Sequence, residues 1–540
     1  MDLTTILSTS IGVVAFAAAG LTGRDGPGRF GRWQGSAGRI RGFASWDWRG
    51  RRVPGQTFPE RGRRPTGGAS APRRRHASWA SARDLGPLQL PHRHAAPSPA
   101  SAGRLVLGRM GRKLVAAERA QSVIVFGPTQ SYKTSGLAVP AILEWDGPVM
   151  AASVKTDLIE HTIGHRRSCG SVTCFDPSGS TGLEAAPWSP LPASRTWPGA
   201  RRSAANLTEV AKSSVGTMSD GDFWFATAAK MLAPLLFAAA FGRRDMADVV
   251  RWVDTQEQDE VLDLLTAAGV DEAVNSARSI FGKEDRQRSS IYTTVETILE
   301  PFAGSMAEPF ADGGAGVGGP GTSEPAIDPA RLVAGSNTLY LCAPAHDQRR
   351  LTPLFVSVIR QVLEHVYDQV SRTGHPIDPR LLVVLDEAAN IAPLFDLDAL
   401  ASTAAGHGVQ LVTVWHDLAQ ITARYGPRAS TVVNNHRAKL FLSGISDPST
   451  LDYASHLIGD EEVVLPATTH GGQSGPSTTR SPSVRRLAPP DELRRISPGE
   501  GVLVYGNLPP ARLRLRSWFD DRRLAARAAT PPEPSPGGVV

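Results

Sequence analysis

The stretch Val123–Leu137, VIVFGPTQSYKTSGL, sets a lysine and a hydroxyl, Lys133 and Thr134, behind Gly127 with the spacing GxxxxGK(S/T). That spacing belongs to a loop that holds phosphates. Backbone N–H groups and the start of a helix cradle the phosphates, the lysine reaches the β and γ groups, and the hydroxyl reaches Mg²⁺. The candidate nucleotide-binding residues are therefore Gly127, Pro128, Thr129, Gln130, Ser131, Tyr132, Lys133, Thr134 and Ser135. Tyr132 occupies the place of the last glycine. A side chain there either turns away from the nucleotide at the expense of strained torsions or closes the pocket.

A second group completes the chemistry. The apolar run in LLVVLDEAANIAP ends in Asp386 and Glu387, a Walker B pattern expected on a strand neighbouring that of the loop. Asp386 would hold Mg²⁺ together with Thr134, and Glu387 would polarise the attacking water as general base. An acidic pair alone could equally cap the following helix. The two motifs together point to ATP and Mg²⁺. His161, His165, Cys169 and Cys174 lie close together with spacings that match zinc-ligand patterns only loosely, and Cys174 falls in the apolar run SVTCF, where cysteine behaves as a small hydrophobe.

These motifs need a scaffold. Apolar runs recur along the chain between turn signals: SVIVFGP, PVMAASV, SVTCFDP, NTLYLCAP, LLVVLDE, VQLVTVW, AKLFLSG and GVLVYGN. Continuous rather than alternating, they predict strands buried on both faces, and the helical patterns between several of them predict crossovers onto a mainly parallel sheet. An α/β fold follows. From Ala200 to Ile327 strands give way to helical patterns, DFWFATAAKMLAPLLFAAAF, QDEVLDLLTAAG and RSSIYTTVETILEPFA, which predict an inserted helical subdomain. The first is apolar enough to cross a membrane, but Lys230 and Pro234 inside it favour a buried core helix.

The outer segments differ in kind. The 540 residues carry a net charge of +6, and only three cysteines, too few for a secreted disulfide framework. Leu3–Leu21 has no charged residue over roughly the 20 positions that span a bilayer, which predicts a membrane anchor at 1–23; a cleaved signal peptide is the alternative. Arginines follow at once, so the chain after the anchor would lie on the cytoplasmic side. Residues 24–103, rich in Arg, Gly, Pro and Ser, predict a flexible linker. The core is expected at 104–199 and 328–521 around the insertion at 200–327, with a mobile loop at 467–486 and a disordered tail at 522–540.

Beyond the two nucleotide motifs, SVKTDLIEHT from Ser153, FDPSG from Phe175, WSPL from Trp188, DFWFATAAKML from Asp222 and VVNNHRAKLFLSGISDPSTLDYAS from Val432 resemble the TraG-like coupling proteins of type IV secretion. The likeness runs from about Arg104 to Asp521. It implies a membrane-anchored, homo-hexameric P-loop ATPase with a RecA-like core and an all-helical domain. Such a motor would recruit single-stranded DNA with its bound relaxase and drive both through a conjugation channel. The family's roles fall on Lys133, Thr134, Asp386 and Glu387. His416 stands where the family usually has a glutamine that senses the γ-phosphate, and Ala405 where several members have an intersubunit arginine. With Tyr132, these departures leave two further readings open: a docking receptor without hydrolysis, and a duplex DNA pump of the division or segregation type.

Overall fold

The computed structural model describes residues 76–90, 103–215, 221–303, 327–344, 346–471 and 475–531. The expected anchor at 1–23, most of the 24–103 linker and the glycine-rich segment Asp312–Gly321 lie outside the described residues.

Fourteen strands are described: β1 (Gln89–Leu90), β2 (Val106–Met110), β3 (Lys113–Ala116), β4 (Val123–Phe126), β5 (Val149–Ser153), β6 (Val172–Phe175), β7 (Thr338–Cys342), β8 (Leu381–Leu385), β9 (Val409–Trp415), β10 (Ala438–Leu442), β11 (Asp460–Gly471), β12 (Gly475–Arg486), β13 (Glu500–Tyr505) and β14 (Ala511–Arg514). All but β11 and β12 form one sheet in the order β1-β3-β2-β14-β13-β10-β4-β9-β8-β5-β7-β6. From β10 to β6 every pairing is parallel. From β10 outward through β13, β14, β2, β3 and β1 every pairing is antiparallel. This is a RecA-like α/β core with an antiparallel extension.

The eight apolar runs became β4 to β10 and β13, and the reason is visible in their burial. β4, β5, β7, β8 and β9 are buried at every position. Helices cover both faces, so no residue on these strands meets water and no polar alternation is needed. One core layer joins Phe126, Met150 and Phe441 to the helical insertion, and the other joins Val123, Val125, Val384 and Val414 to the helix after the phosphate loop.

Between β6 and β7 the chain forms the helices Trp197–Val215, Gly221–Phe241, Met246–Asp254, Asp259–Ala268, Asp271–Phe281 and Asp285–Leu299. Gly221–Phe241 is long and apolar enough to cross a membrane by composition. It packs against all five of the other helices and buries Phe225, Met231, Leu232, Leu235, Leu236 and Phe237 among them. Its apolar character is the character of a core helix.

Three boundaries differ from expectation. Residues 76–90, assigned to the linker, join the fold: Leu85, Leu88 and Leu90 are buried, β1 pairs with β3, and the Ala77 and Ala80 amides donate to Asp460 and Pro510 carbonyls at 2.8 Å. Their few apolar residues are masked in sequence by arginine- and proline-rich flanks. The mobile loop expected at 467–486 is instead part of a two-stranded ribbon, β11 with β12, paired in unbroken register from Asp460↔Arg486 to Gly471↔Gly475. Its threonine and valine content favours strands, but Val464, Leu465 and Val484 are exposed, so burial does not impose there the alternation by which strands are read. Finally, Arg522–Ala528 of the expected tail is a helix. The Asp521 carboxylate caps it by accepting from the Arg523 amide, and Leu524 is buried with Val139 and Leu143.

Candidate nucleotide site

β4 delivers the phosphate loop. The strand ends at Phe126, and the Gly127 amide donates to the Trp415 carbonyl at 3.0 Å, which ties the loop to β9. A Cβ at Gly127 would collide with Ser131 Oγ, so the first glycine is required by close approach. Ser131 is itself buried, and its hydroxyl has no partner among the described residues. Gln130 and Tyr132 both adopt left-handed torsions at φ +66°. Each such residue is strained by about 1–2 kcal/mol relative to glycine. The tyrosine resolves its dilemma by turning away: its ring packs among core residues and lies 6.4 Å from the Phe519 ring. Lys133 and Thr134 keep their places.

Thr134 begins the helix that follows the loop, and its hydroxyl donates to Asp386 Oδ2 at 2.8 Å. Asp386 is 4 % exposed, and its Oδ1 has no hydrogen-bond partner among the described residues. Burial pushes this carboxyl up to about 6, against the opposing pull of the Thr134 hydroxyl and Lys133. A buried acid with one oxygen bonded to a threonine hydroxyl and the other free is a fitting donor set for Mg²⁺.

Asp386 and Glu387 were expected on a strand adjoining the loop's strand. The structure inserts β9 between β4 and β8, and this is how the expected sensor position reaches the site. The C-terminal end of β9 brings His416 between the two motifs. Lys133 Nζ lies 3.4 Å from His416 Nδ1 and 3.5 Å from Nε2, and His416 Nε2 lies 4.0 Å from Glu387 Oε1. Burial, and then the adjacent Lys133 ammonium, hold His416 below the ordinary imidazole value, so the ring is neutral at neutral pH and one nitrogen can donate while the other accepts. Lys133 also donates to the Gly127 carbonyl at 3.3 Å; burial lowers its pKa while Asp386 and Glu387 oppose this. Glu387 sits at φ +65°, the sharp strand-to-helix turn that lifts its carboxylate out of the sheet toward His416.

Several participants were not singled out from sequence. Lys155 lies close enough to influence both Lys133 and His416, and Asp157 to influence Asp386. Both follow β5, the neighbour of β8, and their signal was SVKTDL at a strand end. Gln420 accepts from the His416 amide at 2.9 Å and so fixes the turn that presents the imidazole. A cleft of about 580 Å³ opens beside the loop between Pro128, Thr129, His416, Asp417 and Asp447. A larger cavity of about 710 Å³ lies wholly within the helical insertion, lined by Arg201, Lys230 and Glu272. Volume alone would favour the latter, but the converging ionisable groups are at the former. The remaining expected positions fall elsewhere: Ala405 is half-buried on the helix Leu397–His407, Cys174 is buried on β6, and Cys169 is exposed with its Sγ 3.7 Å from His165 Nε2.

Comparison with known proteins bears on the family and the fold. The family model described as Type IV secretory system Conjugative DNA transfer matches residues 108–535. The conjugal transfer protein TraG of Agrobacterium fabrum is 24 % identical over 422 residues, covering 73 % of this chain and 60 % of the relative. Protein VirD4 of Rhizobium radiobacter is 24 % identical over 449 residues, covering 79 % of this chain and 61 % of the relative. The chain thus spans about three fifths of the length of these curated relatives. Among solved structures, the unbound bacterial conjugative coupling protein TrwBdeltaN70 superposes with a TM-score of 0.59 at 17 % identity over 82 % of this chain and 93 % of that one. The plasmid coupling protein TrwB in complex with ADP and Mg²⁺ gives 0.58 at 17 % identity, over 84 % and 96 %. These likenesses establish the fold.

Proposed function

Because the chain belongs to the Type IV secretory system conjugative DNA transfer family, and is a type IV coupling protein by that membership, we propose that it binds and hydrolyses ATP to drive single-stranded DNA with its bound relaxase into a secretion channel. The observation that carries this reading is the Thr134 hydroxyl 2.8 Å from Asp386 Oδ2, with Lys133, His416 and Glu387 gathered on the same side. Gly127–Ser135 would hold the phosphates, and Thr134 and Asp386 would hold Mg²⁺, whose charge neutralises the phosphate oxygens. Glu387 takes the proton of the attacking water. Neutral His416, in contact with Lys133 and near Glu387, would report on the terminal phosphate in the role usual for a glutamine.

The wider account belongs to the same proposal: a homo-hexamer, anchored in the inner membrane by residues 1–23, meeting the channel with its cytoplasmic domains. A second reading, a docking receptor that binds nucleotide without turning it over, is favoured by the strained torsions at Gln130 and Tyr132. The two separate on one assay. ATP hydrolysis by the full chain is expected to rise severalfold with single-stranded DNA and much less with duplex of equal length. Absence of turnover with either would favour the receptor, and stimulation confined to duplex would favour a DNA pump.

A further inference from the structure

The phosphate loop has a direction, and one end of it lies away from Asp386, Glu387 and His416. Asp386, Glu387 and His416 mark the γ-phosphate end. The α-phosphate, ribose and base must then leave past Ser135, at the start of the helix, because the loop's amides receive the phosphates in that order. What stands there is the segment Leu515–Asp521. Its Trp518 amide donates to the Ser135 carbonyl at 3.0 Å, and Leu515 packs so closely on Gly136 that a Cβ there would lie 3.1 Å from the leucine.

This segment presents an aromatic surface. Phe519 is 50 % exposed, and two rings flank it: Trp518 meets it edge-on at 5.6 Å and Tyr132 lies tilted at 6.4 Å. Trp518 is in turn braced by the His161 ring at 4.3 Å. A large apolar ring flanked by neighbours and left open on one side, beside a phosphate loop, is what a nucleobase stacks upon.

We propose that Phe519 is the platform for a purine base, with Tyr132 as its inner support, so that the tyrosine in the loop serves base recognition rather than blocking the pocket. The proposal rests on the reading of the loop as a nucleotide site. Stacking tolerates any purine, because every base has a π-face. Adenine and guanine nucleotides should therefore bind alike.

The test is calorimetric titration of the full chain, in the presence of Mg²⁺, with ATP, GTP and inorganic triphosphate, for the wild type, Phe519→Ala and Phe519→Trp. Phe519→Ala is expected to weaken ATP and GTP by about tenfold, to leave inorganic triphosphate unchanged, and to be rescued by Phe519→Trp. Unchanged ATP affinity in Phe519→Ala overturns the platform while leaving the loop intact, and an equal loss for inorganic triphosphate overturns it in favour of a structural role. A wild-type chain that binds neither ATP nor inorganic triphosphate overturns the loop reading and the platform with it.

Discussion

Glu387→Gln is expected to lower ATP turnover by a factor of about 10² to 10⁴ while ATP still binds with near wild-type affinity. The carboxylate lies at a turn with φ +65°, its Oε1 4.0 Å from His416 Nε2, and its Oε2 accepts a long hydrogen bond of 3.4 Å from Asn390. The amide keeps the shape and the contact with Asn390 but cannot take a proton from water. Binding depends on Lys133 and the loop amides, which the substitution leaves untouched. Steady-state hydrolysis measured beside calorimetric binding separates the two effects. Equal rates in wild type and variant would remove Glu387 from the reaction, and a joint loss of binding would make its role structural.

Arg516→Met is expected to destabilise the fold by about 3 kcal/mol, the lower part of the range for removing one partner of a buried ion pair. Arg516 is 6 % exposed. It grips Glu144 through both oxygens, Nη1 to Oε2 at 2.7 Å and Nη2 to Oε1 at 2.9 Å, and Nη2 also reaches Asp521 Oδ2 at 3.0 Å. Arg109 closes the cluster on Asp521 at 2.5 Å. Burial, the largest single influence, would raise the Asp521 pKa, yet it lies below the ordinary value because Arg516, the Arg523 amide and Arg109 together outweigh burial. Methionine would strand the partly buried Glu144 carboxylate, while Asp521 would keep Arg109 and the Arg523 amide. The same change frees Leu515–Asp521, so nucleotide affinity should fall as well, and adding Glu144→Gln should restore part of the stability. A shift in denaturation free energy below about 1 kcal/mol would show that the cluster is solvated and dispensable.

The strands of the core were legible because burial on both faces leaves an uninterrupted apolar signature, which β4, β8 and β9 carry in full. The loop and the acidic pair were legible because their chemistry fixes residue types at fixed spacings. Their spatial order was not: that β9 separates β4 from β8 is a property of the sheet, and it is what puts His416 against Lys133. The position of Leu515–Asp521 beside the loop was not legible for a related reason. Leu515, Trp518 and Phe519 follow the loop by almost 400 residues, and no local periodicity records a contact of that range. Residues 76–90 and Arg522–Ala528 add one or a few apolar side chains each to existing layers, too few to rise above their polar flanks.

The central claim is that a loop with tyrosine in place of its last glycine still holds a nucleotide, and titration of ATP into the full chain with and without Mg²⁺, beside Lys133→Ala, tests it most directly. Mg²⁺-dependent binding is predicted for the wild type, weakened at least tenfold by loss of the lysine, since removing a charged hydrogen bond to phosphate costs roughly 1.5–3 kcal/mol. No binding at millimolar ATP, or identical binding by Lys133→Ala, would contradict it.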